Sequence, residues 1–65
     1  LKHDFADAHY NLACIYTQLK DPKLALAHLE RAVEINPGLR QWAAGDKDLQ
    51  GLRSSPTFKK IISKG

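Results

Sequence analysis

Apolar residues at Phe5, Ala8, Leu12, Ile15, Tyr16 and Leu19 recur at intervals of three and four, the spacing that lines side chains along one side of a helix. No proline or glycine interrupts residues 6–19, so the pattern predicts one helix there. Residues 1–5 read as a lead-in, with Asp4 placed to cap the helix. Lys20-Asp21-Pro22 then stops and restarts the chain, since aspartate suits an N-cap and proline the first helical position. A second apolar series, Leu24, Ala25, Leu26, Leu29, Ala32, Val33 and Ile35, predicts a helix over 22–35, closed by Asn36-Pro37-Gly38. A three-residue link between two such helices makes an antiparallel pair.

Beyond Gly38 the pattern shortens. Residues 39–44 allow a turn or two of helix before Gly45, with Trp42 as their one large side chain. Residues 46–53 read as a turn that points Leu49 and Leu52 inward. Ser55-Pro56 repeats the cap-and-proline start, and residues 57–63 form a short helix with Phe58, Ile61 and Ile62 on one side and Lys59 and Lys60 on the other. So short a helix has to dock on a neighbour to persist. The hairpin is the apolar surface available to it.

Composition narrows the function. Sixty-five residues bury only about 60% of the surface their unfolded chain exposes, which argues against a deep catalytic pocket. The start at Leu1 instead of methionine suggests a piece of something longer. The formal charge is +3, but it is unevenly placed. Four cations meet five acids before Gly38, and six cations (Arg40, Lys47, Arg53, Lys59, Lys60 and Lys64) meet Asp46 and Asp48 after it. Cys14 is the lone cysteine, so no internal disulfide supports the fold. No apolar run approaches the ~20 residues of a membrane span. The chain reads as soluble, in the cytoplasm or an organellar interior, with the compartment open.

His9, Leu12, Ala13, Tyr16, Ala25, Leu29, Ala32 and Pro37 stand at the offsets of a 34-residue two-helix repeat. The stretch 6–39 resembles one tetratricopeptide repeat. Ala13, Ala25 and Ala32 are small where helix axes approach, and Leu12, Tyr16 and Leu29 fill the groove between them. His9 stands where the family often has tryptophan, and Lys20 where it often has glycine. The tail, with Trp42, Asp46, Asp48, Leu49, Leu52, Arg53, Pro56 and Phe58, resembles a segment that covers the last repeat in many such proteins. Trp42, Leu49, Leu52 and Phe58 would be its anchors, so the chain is expected to be one all-α domain: lead-in, one repeat and a capping segment over 40–65.

The resemblance implies a groove along the first helix that takes an extended peptide. Carried onto this chain, the groove residues are Asp7, Tyr10, Asn11, Cys14, Thr17 and Gln18. Asn11 is the foremost among them, and a full carboxylate clamp would need basic residues from neighbouring repeats. Cys14 with His9 or His28 raises the chemistry of a nucleophile and base or of metal ligands. No close spacing joins them, so Cys14 reads as a small packed group, His9 as a seam residue, and His3 and His28 as surface residues. Neither cofactor nor metal is expected. Gly38, Gly45, Gly51 and Gly65 are scattered and form no phosphate-binding loop.

The expected function is a non-catalytic protein-binding or scaffold module, at the end of a longer repeat array, binding a peptide or helix through the first helix. Self-association through an uncovered face is the accompanying expectation. The alternatives are a purely structural solenoid cap, or a basic adaptor in which Lys59, Lys60 and Lys64, with Arg40 and Arg53, meet nucleic acid or an acidic membrane surface. Nucleic acid is disfavoured because Trp42 and Phe58 read as core anchors.

Overall fold

The computed structural model describes residues 2–63, with side chains from Phe5 onward. Lys64 and the side chain of His3 fall outside that range. The first helix, α1, is Lys2–Gln18. It starts earlier than expected, so Asp4 lies inside it and not at a cap. The second, α2, is Pro22–Ile35. A short helix α3, Leu39–Gly45, a 3-10 turn, Lys47–Leu52, and a last helix α4, Pro56–Ser63, follow. The described residues contain no strand.

The local chemistry explains each boundary. Lys20 adopts a left-handed conformation with φ 63°. Its N–H reaches the Thr17 carbonyl at 3.1 Å, and that of Asp21 reaches Tyr16 at 2.8 Å, the paired bonds that close a helix on a left-handed residue. Asp21 then caps α2, its Oδ1 accepting from Leu24 N–H at 3.3 Å, with Pro22 at the first position. Asn36 ends α2, and its Oδ1 accepts from Gly38 N–H at 3.2 Å. Asp46 starts the 3-10 turn by accepting from Asp48 N–H at 2.9 Å.

Fully buried alanines mark the α1–α2 contact: Ala6 and Ala13 on one helix, Ala25 and Ala32 on the other. Small residues let the axes approach, and Tyr10, Leu29 and Val33 fill the space beside them. The C-terminal elements extend this core. The 3-10 turn lies on α1, and α4 lies on α2 and α3. Leu49, Leu52, Phe58, Ile61 and Ala43 join the same buried cluster.

Two expectations about burial are corrected. The apolar series of α1 does not face the core as a whole: Phe5 is 63% exposed, Ile15 49% and Leu19 68%, and Leu24 of α2 is 43% exposed. Helix α1 carries two apolar arcs, and the bulkier one is largely exposed. Trp42, expected as an anchor, is 69% exposed. Ala43 takes the buried position of α3, with Leu39 and Arg40 half-buried on the same side, and the adjoining Trp42 is thereby turned to solvent.

Candidate functional site

The six residues expected to line a groove on α1 separate into two groups. Asp7, Asn11 and Gln18 are exposed, whereas Tyr10 is buried and Cys14 and Thr17 are half-buried. Tyr10 Oη donates to Asp46 Oδ2 at 2.6 Å. Thr17 Oγ1 donates to the Ala13 carbonyl at 2.6 Å, and a Cβ at Gly51 would stand 3.3 Å from Thr17 Cγ2. The 3-10 turn therefore sits on the strip of α1 formed by Tyr10, Cys14 and Thr17. The chain's own segment occupies the space that sequence reasoning reserved for a partner.

The electrostatics match this enclosure. Burial, then the hydrogen bond and charge of Asp46, push the Tyr10 phenol far above its ordinary range. Burial, then the charges of Asp46 and Asp48, push the Cys14 thiol up to about 11. A thiol held protonated is a poor nucleophile. The Cys14 sulfur lies with carboxylate oxygens of Asp46 and Asp48 inside 4.8 Å, but Asp46 already accepts from Tyr10 and from the backbone of Asp48.

On the other side of α1 the exposed stripe runs through Phe5, Ala8, Ile15 and Leu19, with Leu12 half-buried along it. Helical geometry of 3.6 residues per turn places Asn11 and Gln18 at its edge. The stripe was legible as a helix signal, but its outward aim was not. Periodicity reports which residues share a face and says nothing of which face meets a neighbour.

The seam between the helices holds a cluster that sequence reasoning missed. His9 Nδ1 and His28 Nδ1 are 3.1 Å apart, across 19 residues of sequence, and both rings are half-buried. Tyr16 lies parallel to the His28 ring, with centres 5.5 Å apart and planes inclined 9°. His28 is thus a seam residue and not a surface one, and the histidines bond each other and not Cys14. No local spacing signalled this pair, because each member comes from a different helix. A depression beside it is lined by Phe5, His9, Arg31, Glu34 and Ile35, with Arg31 and Glu34 paired at 3.4 Å.

The basic tail is partly committed internally. Arg40 Nε donates to the Ile61 carbonyl at 3.1 Å, and Arg53 Nη2 donates to Ala44 at 3.2 Å. Lys59 and Lys60 are exposed. A cleft of about 400 Å3 between α2 and α4 has Glu30 and Glu34 on one wall and Arg40 and Lys60 on the other. Among the described residues no helix is long and apolar enough to cross a membrane.

No curated protein and no solved structure matches the sequence. The profile of the tetratricopeptide repeat matches residues 6–39, just over half of the chain, and the protein belongs to that family.

Proposed function

We propose that this protein binds a helical segment of a protein partner on the exposed apolar stripe of α1. Tetratricopeptide repeats are protein–protein interaction modules and are typically non-catalytic. The observation that carries the finer reading is the exposed row Phe5, Ile15 and Leu19 on α1. Asn11 and Gln18 supply hydrogen bonds at the edge of the row, and Asp7 a negative charge. Tyr10, Cys14 and Thr17 support the site from beneath by holding the C-terminal segment against α1, so that segment acts as a cover for the opposite side.

Full burial of a Leu, Ile or Phe side chain contributes roughly 1.5 to 3 kcal/mol. Three such side chains, a little over half exposed at the outset, therefore offer roughly 3 to 5 kcal/mol before the ordering costs of association. That favours a weak or composite contact. A second copy presents the same stripe, so the protein reports on its own site.

Sedimentation across a wide concentration range at high salt tests this. We expect reversible dimerisation that Ile15→Glu and Leu19→Glu each abolish without lowering the melting temperature, since both side chains are exposed. A chain that stays monomeric at millimolar concentration would overturn the reading. Association that vanishes with salt and follows Lys59 and Lys60 would favour the basic-adaptor alternative.

A further inference from the structure

We propose that His9 and His28 form a two-imidazole chelate for a divalent late transition ion of the zinc type, bridging α1 and α2. The two rings are inclined by 27° with centres 5.3 Å apart. Centre separation exceeds the 3.1 Å nitrogen separation by nearly the width of an imidazole ring, so the rings meet edge to edge with both Nδ1 atoms foremost. In the metal-free protein one Nδ1–H donates to the other Nδ1 across this gap.

The same gap suits an ion. Zinc–nitrogen bonds of about 2.0 to 2.1 Å put two cis ligands roughly 2.9 to 3.4 Å apart, from square-planar to tetrahedral angles. With bonds of about 2.0 to 2.1 Å, each ring has to turn by roughly 40° from its head-on arrangement for both lone pairs to meet at one point beside the nitrogen–nitrogen line. The ion takes the place of the shared proton, and the ring that gave it up takes a proton from solvent on its Nε2, so that both imidazoles bind as neutral ligands. Imidazole nitrogen selects zinc, nickel or copper over magnesium and calcium, which prefer oxygen.

Preorganisation supports the assignment. Tyr16 packs flat against His28, and both rings are half-buried at a helix–helix seam, so little side-chain freedom remains to be lost. Two protein ligands leave further positions to water or to a donor from a docked partner. Because the ligands belong to different helices, the site exists only in the folded hairpin, and binding stabilises the fold by linkage. The inference does not depend on the docking reading.

Thermal unfolding with zinc or nickel chloride, with magnesium chloride as control, is the test. At tenfold excess over the dissociation constant, zinc is expected to raise the melting temperature by roughly 6 to 11 °C. His9→Gln and His28→Gln should remove that rise, whereas His3→Gln and Cys14→Ala should keep it. Should a histidine variant fail to fold, imidazole nitrogen spectra of the unaltered protein decide: zinc must move the Nδ1 resonances of His9 and His28. A rise that survives His9→Gln, a rise lost in Cys14→Ala, shifts confined to Nε2, or no rise at all would each overturn the proposal.

Discussion

Tyr10 Oη donates a 2.6 Å hydrogen bond to Asp46 Oδ2, tying the middle of the first helix to the residue that starts the 3-10 turn. Asp46 also accepts from Asp48 N–H through its other oxygen. One carboxylate thus shapes the turn and anchors it. Tyr10→Phe keeps the packing and removes the anchor, and we expect a loss of about 1 to 2 kcal/mol. Chemical denaturation measures it, and an unchanged midpoint would show the bond to be idle.

Alkaline pH acts on the same place. The thiol of Cys14 is raised from 9.0 to about 11, and Tyr10 is raised for the same leading reason, burial. Both folded-state values lie above the unfolded ones, so the Cys14 contribution is complete below about pH 9 and is lost as pH rises to about 11, whereas that of Tyr10 begins to fall near pH 10 and continues beyond 11. Melting temperature should fall over that window, and Cys14→Ala should blunt the early part of the fall. A flat profile from pH 8 to 11 would contradict the enclosure of these groups.

Lys20 occupies a left-handed conformation that costs an L-residue roughly 1 to 2 kcal/mol. Glycine carries no such cost. Lys20→Gly should therefore stabilise the protein by up to about 1 kcal/mol, a rise of roughly 4 to 8 °C in a domain of this size. Destabilisation would mean that the Lys20 side chain makes a contact worth more than the strain.

The two aromatic residues of the tail make opposite forecasts. Phe58 is 2% exposed and its truncation to alanine should cost about 3 to 5 kcal/mol, enough to unfold a small domain. Trp42→Ala should change stability by no more than about 0.5 kcal/mol. Circular dichroism melts separate the two, and equal losses would restore Trp42 as an anchor.

These residues also show where sequence was sufficient. The two long helices, their junction at Lys20-Asp21-Pro22 and the buried Leu49, Leu52 and Phe58 follow from spacing and caps, which are local. Trp42 was misjudged because size and neighbours do not fix which side of a two-turn helix meets the core. The burial of Tyr10 was not legible because Tyr10 and Asp46, 36 residues apart, meet only when the tail folds back. His9 and His28 carry no local sign for the same reason. Which of two apolar arcs on α1 is covered depends on the whole arrangement and not on its period.

The cover supplied by the 3-10 turn and α4 to one side of the hairpin has a consequence for assembly. On the docking proposed above, two copies would meet stripe to stripe and use the same patch on each partner. Such a pair closes on itself and cannot propagate into a filament, because the same patch serves both partners. On that proposal, the side held by the 3-10 turn would take no part in joining copies.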